Sequence, residues 1–437
     1  MSDLTTRLDV EPRLQDPDVL HALQLERLNV VLARARETRF YRERLRGAPV
    51  RLDDVAQLAE LPVTTKADVL QDIAANPPFG SRTRVAAATI RHLVTTSGTS
   101  GAGEEAYPLD DADEAEVFAM AARGFAWAGV RPGAVVLDTL PLTTAAAGLW
   151  YYHALRLLGA NVLAVGSFAT ERKLDCLRRF RPDAVVGTPS YVLRLALDAR
   201  RAGLDPTACG VRRLVVAGES WSEPRMQRLE REWGARVFEQ YGSTQRAMAW
   251  SCPVGALPEG RRGTLHALSD HGVYEVVDPQ TRAPVHAGDG ELVITPFVSS
   301  ASPLVRFATG DRVTVGHACP CGRPGPHLRA GMVERYDFMV KVRGVNLWPE
   351  ALDTAVLHVD GVRDYDATVE LGADGRELLR IEVELERDDD GAAARVAEVV
   401  GRLTGLHASV NATGGERVTG EIPDRFRKRR RLHDKRR

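Results

Sequence analysis

The chain has 437 residues, a formal net charge of −1 at neutral pH, and hydrophobic and charged fractions of 44% and 27%. That balance describes an ordinary globular chain with room for two or three domains, and it gives no global field toward nucleic acid or a membrane surface. Five cysteines in so long a chain do not form a disulfide framework, no apolar run nears the roughly 20 residues of a membrane span, and the polar N-terminus lacks the apolar stretch of a secretory signal. A reducing cytoplasm is the expected compartment.

Residues 1–80 read as helices, with Leu20, Leu23, Leu25, Leu28 and Val31 at helix-like spacings and Pro62 and Pro77-Pro78 as punctuation. From about residue 90 short apolar strands (134–137, 161–165, 184–186, 214–216) alternate with helices (150–158, 191–202, 223–232). That alternation predicts a parallel sheet covered on both faces. Beyond 263 the pattern turns to strands, at 273–277, 291–294 and 304–307, separated by Asp-Pro and Gly-Asp-Gly turns. A last unit begins near 338, with strands at 338–342 and 378–385 and helices at 349–356 and 391–403. The expected fold is α/β. A large N-terminal domain, 1–336, comprises a helical lead-in (1–85), an α/β core (86–262) and a β-rich subdomain (263–336). A small mobile α+β lid domain, 337–437, completes it. The chain ends on a basic run from Arg425 to Arg437.

The densest chemical signal is Thr95-Thr96-Ser97-Gly98-Thr99-Ser100-Gly101. Glycines let backbone N–H groups converge on one point, and hydroxyls add donors that rotate, which suits a phosphate group. Four further segments follow in order: Tyr241-Gly242-Ser243-Thr244-Gln245, Thr309-Gly310-Asp311 closing a predicted strand, Arg335-Tyr336-Asp337, and Lys428 near the end. Gly218-Glu219, Val277-Asp278-Pro279, Gly290-Glu291 and Cys319-Pro320-Cys321-Gly322-Arg323 accompany them.

Together these segments resemble the adenylate-forming superfamily, and among its branches the phenylacetate-CoA ligase-like one, over about residues 15–437. The resemblance implies a two-step reaction. A carboxylate attacks the α-phosphate of ATP, pyrophosphate leaves, and the acyl-adenylate passes its acyl group to CoA or another nucleophile. It implies that Thr96, Ser97, Gly98, Thr99, Ser100 and Gly101 hold the departing phosphates, and that Asp311 accepts the ribose hydroxyls. Gly218, Glu219, Tyr241, Gly242, Ser243, Thr244 and Gln245 would surround the nucleotide. Arg335, Thr244 and Lys428 would act on the phosphates, with Asp337 as the hinge of a rotating C-terminal domain. The implied cofactors are ATP, Mg²⁺ and CoA. The implied substrate is a small carboxylic acid, by family an aryl acid, with Tyr152, His153, Tyr241, Trp250 and the small-residue loop 141–148 as pocket candidates. A homodimer is common in this branch.

The sequence departs from the family at two points. Gln245 stands where the family has a glutamate that helps hold Mg²⁺, and an amide oxygen is a weaker ligand for a hard dication. After Gly101 the expected lysine is absent and the chain reads Ala102-Gly103-Glu104-Glu105. Acids there repel a triphosphate if they point inward and are neutral to it if they face solvent. These departures fit a specialised relative, including adenylating enzymes without a CoA step, nitrite-activating ones that diazotise aryl amines, and a nucleotide-binding pseudoenzyme. Nucleic-acid binding through the basic tail is the rival class, which the near-neutral net charge disfavours.

Cys252, His266, Cys319 and Cys321 form a candidate structural zinc site, because Cys-x-Cys presents two thiolates and histidine a matching nitrogen. His271 and His317 compete for the fourth position, and Cys176 and Cys209 are expected in the core.

Overall fold

In the computed structural model, the structure describes residues 12–96, 103–256, 263–316, 318–323, 325–331, 333–372, 375–414 and 431–436. The lead-in is helical, as expected. Asp16 caps α1 (Pro17–Glu37) by accepting from the Asp18 N–H at 2.9 Å, and Pro17 starts it with a fitting φ. Leu28, Val31, Leu32 and Ala35 bury its inner face against Tyr41, Leu58, Phe297 and Val305. The short α2 (Arg39–Arg44) follows. A Thr65–Asp68 capping box fixes the start of α3 (Lys66–Ala75), so Lys66 is its first residue.

The strands, in chain order, begin with β1 (His92–Thr95) and β2 (Ala106–Leu109), paired antiparallel around the glycine-rich stretch. Next come α4 (Asp111–Trp127), β3 (Val135–Asp138), α5 (Ala146–Leu157), β4 (Asn161–Ala164) and α6 (Thr170–Phe180). They lead to β5 (Ala184–Gly187), α7 (Pro189–Arg201), β6 (Arg213–Ala217), α8 (Glu223–Trp233) and β7 (Arg236–Gly242). Then follow β8 (Met248–Ser251), β9 (Thr264–Ala267), β10 (Gly272–Val277), β11 (Gly288–Pro296), β12 (Phe307–Val315), β13 (His327–Arg329) and β14 (Glu334–Arg335). Among the described residues these form one 12-stranded sheet, ordered β10-β11-β12-β13-β9-β8-β7-β6-β5-β3-β4, with β14 on β12. From β4 to β7 neighbours are parallel, and from β7 to β10 they are antiparallel. The β-rich segment therefore continues the parallel sheet. Alternation assigns the strand faces: Val136, Val186, Val215 and Phe238 pack with α4 and α5, and Leu137, Val185, Leu214 and Val216 with α6, α7 and α8.

The C-terminal unit carries the hairpin β15 (Val340–Val342) and β16 (Val345–Leu347), then α9 (Pro349–Leu357), β17 (Val362–Leu371), β18 (Glu377–Leu385), α10 (Ala392–Thr404), β19 (Ala408–Gly414) and β20 (Leu432–Asp434). Its sheet runs β19-β18-β17-β20 over its own core. A buried ion cluster joins it to the large sheet. The Arg225 guanidinium on α8, 3% exposed, donates to Asp353 at 2.7 Å and Asp364 at 2.8 Å, and Arg431 donates to the same Asp364 oxygen at 3.0 Å. Burial opposes the Arg225 charge, but Asp353 and Asp364 outweigh it and hold the guanidinium firmly protonated.

Two expectations are corrected. The strand expected at 304–307 begins only at Phe307. Leu304 and Val305 are apolar because they are buried beneath the sheet's edge, and Arg306 turns the chain with φ 46 while its guanidinium binds Glu275 and the Ala59 and Leu61 carbonyls. Thr309-Gly310-Asp311 accordingly lies inside β12 and does not close a strand. The strand expected at 338–342 is split, with a 3₁₀ turn at Tyr336–Phe338 before β15. Among the described residues no helix is long and apolar enough to cross a membrane.

Candidate functional site

A cavity of about 790 Å³ opens where β6, β7, β12 and β14 meet the C-terminal unit. Its first wall is built by strands. Asp311, 8% exposed, accepts the Tyr241 hydroxyl proton at 2.6 Å, and its other oxygen lies 3.6 Å from Arg335 Nη1. Strand pairing sets this up, since Asp311 and Arg335 are register partners between β12 and β14. The shift in register between Glu291 and Val293 and the positive φ of Gly310 (73°) mark a bulge that aims Asp311 inward. A Cβ at Gly310 would meet Arg335 Nη2 at 3.3 Å. Thr309 locks the bulge, donating to Leu292 O at 2.8 Å and accepting from the Asp311 N–H at 3.0 Å. Burial and the Asp311 carboxylate hold the Tyr241 phenol well above its usual pKa, so it remains a donor. Arg335 also donates to Asp337 at 3.1 Å, and Asp337 sits on the cavity wall in the 3₁₀ turn that links β14 to β15.

The opposite end is built by loops. Residues 243–247 close the β7–β8 hairpin, the Ser243 N–H donating to Ala247 O at 3.1 Å and Arg246 adopting φ 69. Gly242, Ser243, Thr244 and Gln245 all reach the cavity, as does Thr96 at the end of β1. Ser97, Gly98, Thr99, Ser100 and Gly101 lie outside the described residues, as do Lys428 and His317. The strands that flank residues 97–102 pair antiparallel, and beside them the Glu105 N–H donates to Thr96 Oγ1 at 2.9 Å and the Thr96 N–H to Glu105 O at 3.0 Å. The two acids of this segment divide: Glu104 is exposed and Glu105 is buried on the cavity wall.

Gly218 ends β6 with φ 85 and turns Glu219 into the cavity wall. The Glu219 carboxylate accepts from the Ser190 N–H at 3.1 Å and its hydroxyl at 2.7 Å, at the N-terminus of α7, where a negative charge is favoured.

Three acyl-pocket candidates do not line this cavity. His153 stacks on Phe118 of α4 at 4.7 Å, and Tyr152 packs edge-on to His153 and beneath Arg156. Trp250 is a core residue in edge contact with Phe125 at 5.0 Å, filling the space left by Gly124, whose added Cβ would meet its ring at 2.1 Å. One helical step earlier, Tyr151 points inward and its hydroxyl donates to Gln240, which does line the cavity. The sequence reading did not name Tyr151. Only Gly148 of the 141–148 loop shows why small residues occur there, because a Cβ would meet Pro141 O at 1.9 Å. Residues 146–148 already belong to α5.

Cys252, His266, Cys319 and Cys321 converge, with one ligand atom from each within 4.8 Å of all the others. Cys252 Sγ and Cys319 Sγ are 3.8 Å apart and Cys321 Sγ lies 3.6 Å from His266 Nε2. Tetrahedral zinc with Zn–S near 2.3 Å and Zn–N near 2.0 Å requires separations of roughly 3.8 and 3.6 Å. Gly255 makes room for the cluster, since a Cβ there would meet Cys252 Sγ and His266 Nε2, both at 3.3 Å. His271 is not a competing ligand: its Nδ1 is bound to Glu116 at 2.6 Å. Cys176 and Cys209 lie in the core among α6, α7 and α8.

The chain matches the family model of AMP-binding enzymes over residues 8–296, more than half its length. It is 32% identical over 352 residues to the phenylacetate-coenzyme A ligase of Thermus thermophilus, covering 78% of this chain and 76% of that protein. The structure superposes on 2-hydroxyisobutyryl-CoA ligase in its postadenylation state with a TM-score of 0.85 at 24% identity, covering 98% of this chain and 91% of that one. Against the same ligase in its thioesterification state the TM-score is 0.68 at 25% identity, with coverages of 98% and 92%. A family match of this extent and a relative of this identity settle the identity of the fold's chemistry: the chain belongs to the AMP-binding enzymes and is an adenylate-forming enzyme of the acid–thiol ligase class.

Proposed function

We propose that the cavity binds ATP with its ribose on Asp311, activates a small aromatic carboxylic acid as the acyl-adenylate, and passes the acyl group to CoA. The observation that carries the reading is the Asp311 carboxylate, held inside the cavity between the Tyr241 hydroxyl and the Arg335 guanidinium. A carboxylate offers two acceptor oxygens, the number needed for the two hydroxyls of a ribose. The aromatic choice is supported by the relatives' name, phenylacetate-coenzyme A ligase.

In this reading Tyr241 presents its ring to the adenine, and Thr244 donates its hydroxyl toward the α-phosphate. Arg335, firmly protonated because Asp311 and Asp337 outweigh its burial, offsets charge that grows in the in-line displacement. A preorganised cation contributes most at that point. Ser97 to Gly101 cradle the departing pyrophosphate and Lys428 neutralises it, both from segments outside the described residues. Mg²⁺, when bound, screens the polyphosphate, and the cavity offers it hard oxygen donors in Thr244, Gln245 and Glu105. Asp337, between the two sheets, is the hinge about which the C-terminal unit turns for the thioester step. Cys252, His266, Cys319 and Cys321 hold one structural zinc that pins β8 and β9 to the segment before β13, and metal analysis should find one zinc per chain.

The test is ATP–pyrophosphate exchange over a panel of aryl and alkyl acids and nitrite, followed by thioester detection with CoA. Exchange with an aryl acid and thioester formation are expected. Exchange without thioester formation selects the CoA-independent alternative, exchange with nitrite alone selects diazotisation, and nucleotide binding without exchange selects the pseudoenzyme.

A further inference from the structure

Glu105 carries a carboxylate that is 2% exposed yet lies on the wall of the nucleotide cavity. A buried carboxylate is costly unless it is paired. Among the described residues it has three partners: the Tyr107 hydroxyl and Gln245 Nε2 (2.8 Å) donate to Oε2, and Lys66 Nζ is 3.4 Å from Oε1. The two oxygens are therefore unequal. Oε2 is saturated by two donors. Among the described residues Oε1 meets the Lys66 ammonium alone, at a distance beyond the roughly 2.7–2.9 Å of a tight charge-assisted bond, and a carboxylate has about four acceptor positions in all. Gln245 is turned so that its amide N–H₂ group is spent on Glu105, which fixes the carboxylate's plane. The main chain of Glu105 is fixed as well, through its two bonds to Thr96.

A hard divalent cation carried in by a nucleotide takes oxygen ligands, usually one or two carboxylates with phosphate oxygens and water. At this end of the cavity Gln245 supplies only a neutral amide, and Glu105 supplies the negative charge one hydrogen bond away. We propose that Glu105 is the carboxylate that holds the divalent cation of bound metal–ATP, with Gln245 as its positioning residue and Lys66 as the counter-ion it pairs with before the metal arrives. The inference rests on the ATP reading of the cavity and deepens it. It accounts for an acid that a triphosphate would otherwise repel: with a cation between them, the buried charge becomes attractive.

The experiment is Mn²⁺ binding by electron paramagnetic resonance, with α,β-methylene-ATP as the unreactive nucleotide, for the full-length wild-type chain, Glu105→Gln, Gln245→Glu and the double exchange Glu105→Gln/Gln245→Glu. Nucleotide binding without metal and thermal unfolding are measured in parallel. Glu105→Gln should weaken Mn²⁺ in the ternary complex by about tenfold or more while changing metal-free nucleotide affinity little. The double exchange, which moves the carboxylate across its own hydrogen bond, should recover Mn²⁺ affinity to within about threefold of wild type. If Glu105→Gln unfolds, the double exchange and Glu105→Asp carry the test, both retaining Mn²⁺ binding. Wild-type Mn²⁺ affinity in Glu105→Gln, or a folded double exchange with no recovery, overturns the proposal and leaves Glu105 as a strut between α3 and β2. Failure of the wild type to bind the nucleotide at all overturns the ATP reading itself.

Discussion

The two ends of the cavity are built differently. At the Asp311 end the central polar groups sit on strands: Tyr241 on β7, Asp311 on β12 and Arg335 on β14, their spacing fixed by strand pairing and a locked bulge. At the Glu105 end the groups come from a hairpin loop, the end of β1, the start of β2 and the first turn of α3, and are held by side-chain bonds. A strand-held carboxylate admits little substitution, because moving it means moving a sheet. A loop-held one can exchange places with a neighbour while the local charge is kept. Gln245 and Glu105, the two positions at which the sequence differs from the pattern it resembles, both lie at this end.

The contrast predicts unequal sensitivity. Asp311→Ala should cost most, about two to four orders of magnitude in kcat/KM for ATP, since two hydrogen bonds to a charged group contribute roughly 1.5–3 kcal/mol each; steady-state exchange kinetics would show it, and a loss below tenfold would break the comparison. Lys66→Met at the loop end should cost about tenfold in the same assay, because the Glu105 carboxylate keeps two of its partners. Tyr241→Phe removes one bond to Asp311 and should cost about five- to tenfold in KM for ATP with kcat little changed. A change in kcat alone would mean that Tyr241 acts on chemistry and not on binding.

Asp138 gives a measure in stability instead of activity. It is fully buried at the end of β3, accepting the Leu140 N–H at 3.0 Å, and burial pushes its carboxyl up to about 7 from 3.8. The unfolded chain releases that proton from about pH 4 while the folded chain keeps it until about pH 7, so the unfolded state binds fewer protons in this window and stability falls as pH rises. Asp138→Asn removes this penalty. Any cost of the amide's own buried donor applies at both pH values, so the variant's stability relative to wild type should rise by roughly 3–4 kcal/mol between pH 4 and pH 8. Chemical denaturation at the two pH values measures it, and a difference between variant and wild type that does not grow with pH would refute the assignment.

The parts of this architecture that were legible in the sequence are those with local causes. Strands β3 to β6 are apolar runs between turns, and their helices α7 and α8 show one buried face. Helix α4 escaped because Met120 and Ala121 to Trp127 are buried on all sides, leaving no polar stripe to reveal its period. Strand β17 escaped because Asp364 and Asp366 interrupt it, and the buried partner that makes Asp364 acceptable, Arg225, lies in another domain. In the site, Tyr241, Asp311 and Arg335 announced themselves by motif, and the Cys-x-Cys pair by spacing. Glu105 was recognised as anomalous, but its ion pair with Lys66 and its hydrogen bond from Gln245 depend on contacts between distant segments that no local pattern encodes. On α5, Tyr151, Tyr152 and His153 are alike in composition, and only the helix's rotation decides which of them is buried and reaches Gln240.

The most direct measurement is calorimetric binding of ATP and of 2′,3′-dideoxy-ATP to the wild-type chain and to Asp311→Asn. If Asp311 receives the ribose, wild type should favour ATP by about a hundredfold and the variant should lose most of that preference. Equal affinity of the wild type for the two nucleotides would contradict the account.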